Sequence, residues 1–191
     1  MPNDSSTGGY LQPVGGNALD DQALDRVFHD LIMNLTGLTA ETIFPRWQEE
    51  PPNMPANGQP WIAQGVTDRR DDAVVWEGND ADTGVFTICR NQELDNLLSF
   101  YGPTASTVEA LFRDNIAVAQ NRDVIVALGI NLVRVGDPRN MSLKINERWQ
   151  KRIDVTVTFR RLIWRTYPVL TILSVPINLQ ADTGFTVNEN A

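Results

Sequence analysis

The chain reads as an α+β protein. The sequence predicts a mostly antiparallel sheet with a long projecting strand or hairpin, packed against two or three helices. Three observations carry this. From Glu147 to Tyr167 the sequence ERWQKRIDVTVTFRRLIWRTY holds neither Pro nor Gly. Within it Ile153, Val155, Val157, Phe159 and Ile163 fall on one side, and Asp154, Thr156, Thr158 and Arg160 on the other. A period of two is that of a strand. Near the N-terminus, Leu24, Val27, Phe28, Leu31, Ile32 and Leu35 recur at helical spacing. Finally, the other helical patterns are grouped between runs of strands, which favours α+β. At about 3.3 Å per residue, Ile153 to Thr166 spans roughly 46 Å. A compact domain of this length is only about 40 Å across. The strand therefore crosses the whole domain or projects from it.

Residues 1–18 are rich in Gly, Ser, Asn and Pro and read as a flexible N-terminal arm. The domain proper is expected over residues 19–179. Asp20 or Asp21 caps the first helix and Gly37 stops it. A short strand, Thr42 to Arg46, follows. Glu49 to Pro60, EEPPNMPANGQP, carries four prolines. Proline donates no ladder hydrogen bond and fixes φ, so this is a surface loop of set shape. Trp61 to Thr67 and Asp72 to Glu77 read as two strands with Arg69-Arg70-Asp71 between them. Gly78 to Gly84, GNDADTG, is a polar turn. Val85 to Tyr101 alternates unevenly and reads as a long strand, bulged near Asn91 and Gln92.

Gly102-Pro103 ends that strand. Thr104 or Ser106 caps a helix carrying Val108, Leu111, Phe112 and Ile116. Asn121 caps a shorter helix with Val124, Ile125 and Leu128, stopped by Gly129. Ile130 to Val135 is strand-like and Gly136-Asp137-Pro138 turns it. The long strand follows, then a last one over Val169 to Leu179. Residues 180–191 read as a C-terminal arm.

The net charge is −8 but unevenly placed. Residues 134–165 hold nine bases against three acids, a net of +6, which leaves −14 elsewhere. Such a split favours contact with a complementary surface on another copy or partner. The bases Arg148, Lys151, Arg152, Arg160, Arg161 and Arg165, with Pro51, Pro52 and Pro55 of the stiff loop, are the candidates for a subunit interface. Asp68, Asp71, Asp72, Glu77, Asp80 and Asp82 form an acidic stretch. No run approaches eighteen apolar residues, so no membrane partner is expected. The start, MPNDSSTGGY, has neither a basic nor an apolar region of the kind a secretory signal needs. The single Cys89 sits among apolar residues and reads as a buried thiol.

Chemistry is poorly supported. No GxxxxGK[ST], GxGxxG, HExxH or GxSxG pattern occurs. The Gly8-Gly9 and Gly15-Gly16 pairs lie in the arm, with no strand before them. His29, one helical turn after Asp25, reads as a surface hydrogen bond rather than a catalytic pair. Asp80 and Asp82 lack the spacing of a calcium loop. No catalytic residue, metal or cofactor is therefore expected. Trp164 and Tyr167 among the arginines could stack on nucleic-acid bases, but an acidic chain works against phosphate binding, and core packing explains Trp164 equally well.

Four stretches together resemble a known family. PRWQEEPPNMP (Pro45 to Pro55), ELDNLLSFYGP (Glu93 to Pro103), NERW (Asn146 to Trp149) and RRLIWRTYPVL (Arg160 to Leu170) are similar to the neck or tail terminator proteins of tailed bacteriophages. The closest likeness is to the phage neck terminator family, over roughly Leu24 to Leu179. The resemblance implies a tail-terminator-like fold and a non-enzymatic virion protein, assembled in the host cytoplasm. It implies a self-assembled ring at the neck, usually of six subunits. That ring would end the tail tube and meet the tail tube protein and a head–tail connector or adaptor. Genomic DNA would pass without sequence-specific binding, and Asp68, Asp71, Asp72, Glu77, Asp80 and Asp82 would be candidates for the channel wall, where like charge repels it weakly. The alternative is a DNA-contacting head–tail completion module or another minor tail protein.

Overall fold

A computed structural model describes residues 3–4, 6–48, 55, 58–80, 85–145 and 147–169. The chain is α+β, and its main sheet is almost wholly antiparallel. Two 16-residue strands dominate: β5 (Phe86–Tyr101) and β10 (Arg152–Tyr167) pair without a break from Arg152↔Tyr101 to Tyr167↔Phe86. Sixteen residues reach about 53 Å, so this pair runs the full length of the sheet.

On the free side of β5 lie β3 (Trp61–Asp71) and then β4 (Trp76–Asn79), two segments of one edge interrupted at residues 72–75. A short parallel strand, β2 (Ile43–Pro45), flanks the start of β3. On the free side of β10 lie β1 (Gly15–Gly16), β6 (Ile130–Val135) and β7 (Arg139–Asn140). A separate hairpin, β8 (Leu143–Ile145) with β9 (Arg148–Gln150), stands between β7 and β10 in the chain.

Helix α1 (Asp21–Thr36) and helix α2 (Ala105–Ala117), followed by α3 (Ala119–Ala127), contribute the other half of the core. The apolar stripe of α1, namely Leu24, Phe28, Leu31, Ile32 and Leu35, is buried. Phe28 meets Phe159 of β10 at 5.1 Å between ring centroids, and Phe112 of α2 meets Phe100 of β5 at 5.9 Å. Val155 and Val157 lie between, with Leu94, Leu98 and Ile62 from neighbouring strands. Each such residue, fully buried, contributes about 1.5–3 kcal/mol.

Two polar side chains, Asn96 and Gln64, enter this core with their partners. Gly65 N donates to Asn96 Oδ1 (3.0 Å), Asn96 Nδ2 to Gln64 Oε1 (3.3 Å), and Gln64 Nε2 to the Asp25 carbonyl (3.2 Å). Asn96, with the buried Gln92, explains the uneven alternation of β5. The bulge expected near Asn91 and Gln92 is absent: both stay in register with β10. Register breaks instead between Val66 and Asp68 of β3, and opposite Thr158 and Phe159 where β6 joins β10.

Other boundaries move for physical reasons. Arg69, Arg70 and Asp71 lie inside β3, held by pairing to Leu94, Glu93 and Gln92, rather than in a connection. The following strand begins at Trp76. Leu111, Val124 and Leu128 are exposed, because α2 and α3 bury narrow stripes: Ala105, Glu109, Phe112 and Ile116 on one, Ile125 alone on the other. Asn121 sits within α3, and its amide donates to the Asn115 carbonyl (2.8 Å) instead of capping. Gly37 and Gly129 take the left-handed backbone expected where helices stop, with φ of 70° and 78°. The last strand expected, Val169 to Leu179, lies outside the described residues beyond Val169, as does the C-terminal arm.

Candidate functional site

The helices cover one face of the main sheet. No described helix lies on the other face, although Arg46 and Trp47 lie over Gly65 at one end of it, and its side chains follow from the register. Across its centre runs a charged ladder. Arg70 of β3 donates to Asp68 (2.7 Å) and, through both terminal nitrogens, to Asp95 of β5 (2.8 and 3.1 Å). Thr158 of β10 also donates to Asp95 (2.7 Å), and Arg160 to Glu93 (2.7 Å). The Arg70 guanidinium holds the Asp95 carboxyl below its ordinary value.

Aromatic rings close both ends of the ladder. At one end Trp61 stacks on Tyr101 with centroids 3.8 Å apart, Phe44 meets Trp61 edge-on, and the Arg152 guanidinium lies 5.5 Å from the Tyr101 ring centre. Ser99 links strands there: it accepts from Arg46 Nη2 and donates to Asp154 Oδ1 (2.5 Å). At the other end Trp76 of β4 and Trp164 of β10 both align with Cys89 of β5, and Leu162 lies one row in, opposite Asn91. Trp76 is 61%, Leu162 50% and Trp164 37% exposed. Cys89 is half-buried, not enclosed as its apolar neighbours suggested, because no described helix is layered on this face. Trp164 therefore does not pack in the core.

The basic residues singled out from the sequence divide sharply. Arg161 falls on the inner side of β10 and is 5% exposed. It donates to Gln92 Oε1 (2.9 and 2.7 Å), to Asp20 Oδ1 (2.8 Å) and to the Leu19 carbonyl. Asp20 is at the N-cap of α1, but its side chain makes no cap bond. It is used on Arg161, whose hydrogen bond is the main cause of its lowered pKa. Arg152 grips Asp154 through two 2.8 Å bonds. Arg160 pairs with Glu93, and Arg165 lies 3.7 Å from Asp20. All four β10 bases are thus paired within the chain.

The hairpin before β10 behaves differently. Arg139, Lys144 and Lys151 make no ion pair among the described residues. Arg148 lies in β9 opposite Ile145, and Lys144 lies opposite Trp149. Trp149 is 74% exposed, and Met141 and Leu143 are nearly half exposed. Glu147 at the turn adopts φ 64°. The base of the hairpin is pinned: Met141 N donates to the Arg152 carbonyl (2.9 Å), and Ser142 Oγ to Asn140 Oδ1 (2.6 Å). Alternation alone runs this stretch into the long strand; the structure instead folds it back as a separate hairpin. The spacing carries a signal for it, since LKI and RWQ stand two residues apart in the sequence, a separation that fits a tight hairpin.

The acidic stretch follows one edge. Asp68 pairs with Arg70, and Asp71 accepts from Gln92 Nε2 (2.7 Å) and lies 3.5 Å from Arg90. Asp72 accepts from Asn91 Nδ2 (2.8 Å). Glu77 is exposed on β4, and Asp80 opens the turn to β5, its N–H donating to the Val85 carbonyl (3.0 Å). Asp82, Pro51 and Pro52 lie outside the described residues; Pro55 is half-buried.

The Gly15-Gly16 pair forms β1 against the end of β10. A Cβ on Gly15 would stand 2.7 Å from Thr166 Oγ1, and one on Gly16 2.8 Å from the Trp164 carbonyl. Asn17 extends this contact, its side chain bonding the Trp164 N–H (2.9 Å) and the Leu162 carbonyl (3.0 Å).

A cleft of about 730 Å³ opens between α1 and the residues after β2, lined among others by Asp25, His29, Asp30, Arg46 and Trp47. His29 does not pair with Asp25. Its Nδ1 lies 3.1 Å from Asp30 Oδ1 and its Nε2 3.2 Å from the Ala40 carbonyl, so both ring nitrogens are engaged. Burial raises the Asp25 carboxyl and lowers the Arg46 guanidinium. Among the described residues no three of His, Cys, Asp and Glu converge to hold a metal ion, and no helix is long and apolar enough to cross a membrane.

No curated protein matches the chain. The family of phage neck terminator proteins matches it over residues 22–183, which takes in α1 from its second residue on, the other helices and every described strand except β1. A structural virion family agrees with a fold whose distinctive surfaces are a sheet face that no described helix covers and a protruding hairpin. The chain belongs to the phage neck terminator protein family.

Proposed function

We infer that this protein forms a homo-oligomeric ring, of six subunits by the family's pattern, at the neck of a tailed phage. The ring ends the tail tube and joins it to the head connector, and genomic DNA passes through it without sequence-specific binding. Assembly takes place in the host cytoplasm, and the protein carries out no catalysis. The observation that carries this reading is the β8–β9 hairpin, where Trp149 is exposed and Lys144 makes no ion pair among the described residues. A two-stranded hairpin is marginal by itself in water, and this one gains a support in an assembly. The sheet face that no described helix covers and the terminal segments, residues 1–13 and 180–191, offer further contact surface to the tube and connector proteins, whereas residues 14–17 of the expected N-terminal arm are held against β10.

Lys151 and Arg148 are the interface bases this reading favours. Arg152, Arg160, Arg161 and Arg165 serve it less, because their partners lie within the chain. The acidic stretch has two uses open to it, a channel wall or a contact between copies. Asp68 and Asp71 already face arginines, which weakens the wall and favours the contact. Light scattering and negative-stain microscopy on the purified protein test the ring: closed rings of uniform mass are expected, and a monomer at every concentration and salt would overturn it. A DNA-contacting module would instead show a gel shift whose affinity falls steeply with salt.

A further inference from the structure

We propose that the β8–β9 hairpin of one copy docks on the Trp76–Trp164–Leu162 patch of a second copy. This contact rests on the ring reading and specifies how neighbouring copies recognise each other. Four observations support it.

The hairpin and the patch lie at opposite ends of the same pair of long strands. The hairpin leads into Arg152, where β10 faces Tyr101; the patch surrounds Cys89, near the end where Tyr167 faces Phe86. A surface at one end that fits a surface at the other gives a head-to-tail contact, which repeats until the rotation closes a ring.

The charges are complementary. Residues 139–151 hold four bases and one acid, whereas residues 71–89 hold five acids and no base. Arg139, Lys144 and Lys151 make no ion pair among the described residues, unlike the bases of β10. Complementary charge steers and orients such a contact more than it tightens it.

The apolar surfaces also correspond. The hairpin offers Trp149 with Leu143 and Met141 beside it, and the patch offers two tryptophans and a leucine, all of them substantially exposed. Single exposed apolar residues are ordinary, but here three lie side by side on one sheet face by strand register. Tryptophan is the residue type that most often dominates a protein contact.

Finally, both partners are built to be presented. The hairpin base is pinned by the Met141–Arg152 and Asn140–Ser142 bonds. The patch lies on a ladder with unbroken register. Little ordering is therefore required when the two meet.

A mixing experiment tests this. The 191-residue chain is compared with Trp149→Glu, which blocks the hairpin, and with Trp76→Glu/Leu162→Glu, which blocks the patch. All three side chains are at least half exposed, and circular dichroism checks each fold; Lys144→Glu/Lys151→Glu replaces the first variant should it fail to fold. Each variant alone should associate at least about tenfold more weakly than wild type by light scattering. An equimolar mixture should form dimers that grow no further, because one intact hairpin then meets one intact patch.

Variants that assemble like wild type, or a mixture that stays monomeric, would overturn the contact. Normal assembly of the patch variant would mean that something else, such as the same chain's residues after Tyr167, occupies the patch. A Trp149→Glu variant that assembles normally but loses a DNA gel shift would give the hairpin to nucleic acid. These results leave the ring standing; a wild-type protein that never associates would bring down both.

Discussion

The strand β10 and the hairpin that precedes it are adjacent in sequence and equally basic, yet their charges have opposite fates. Arg152, Arg160, Arg161 and Arg165 are each held by a carboxylate of the same chain. Arg139, Lys144 and Lys151 face solvent or lie half-buried with no ion pair among the described residues. The difference comes from register. β10 lies beside β5, which brings Glu93 across from Arg160 and Gln92 across from Arg161, and the segment entering α1 lays Asp20 beside it. The β8–β9 hairpin has left the sheet, so no other strand supplies it with acids. A run of bases in sequence therefore points to a partner only where the fold leaves it unpaired.

Changes to the inner side of β10 should have the largest effects. Val157 is fully buried between the sheet and the helices. Val157→Asp should leave the protein unfolded, because a buried carboxylate without a partner costs more than a domain of this size has in reserve; a circular dichroism spectrum without helix or sheet signal is expected. Arg161→Met comes next. It leaves the buried Gln92 carbonyl oxygen without its donor and should cost about 1–3 kcal/mol in urea denaturation. Full stability in that variant would mean that the Arg161 network contributes nothing to folding.

The comparison sharpens at neighbouring residues 151 and 152. Arg152→Glu sets a carboxylate against Asp154 and should cost about 1–2 kcal/mol. Lys151→Glu should change stability by no more than about 0.5 kcal/mol while weakening association. Equal destabilisation by both would erase the distinction between the two regions. The smallest effect expected is that of acid. The pKa values of Asp20 and Asp95 are held down by Arg161 and Arg70. Carboxylates lowered by folding stabilise it above their unfolded pKa, about 3.9, and this contribution is lost as pH falls through the lowered folded values. The urea midpoint should therefore be flat near neutral pH and decline below about pH 4.

The fold was legible where one period ruled. Ile153 to Phe159 and Leu24 to Leu35 each have a consistent apolar side, and both are buried as that pattern implies. What was not legible depended on pairing across the chain. Arg161 shares the parity of Val157 and Phe159, so alternation alone places it inward, but only Gln92 and Asp20 make that burial tolerable. Leu111 and Val124 look like core residues in their helices, yet α2 and α3 touch the sheet along narrower stripes. The exposed Trp76–Trp164 row arises because β4 and β10 flank β5 in matching register, which a single sequence does not reveal. The hairpin was missed for a simpler reason: its three-residue strands are too short for alternation to register, and only its turn gives it away.

Hydrogen exchange of the backbone amides, measured below and above the concentration at which the protein assembles, tests the contrast most directly. Peptides covering residues 141–151 should exchange at least about tenfold more slowly on assembly, because the hairpin gains a covering partner. Peptides covering residues 153–161 should not change, because that part of β10 already has β5 on one side and β6 or β7 along much of the other. Equal exchange of the hairpin in both conditions, in a protein shown to assemble, would contradict the account.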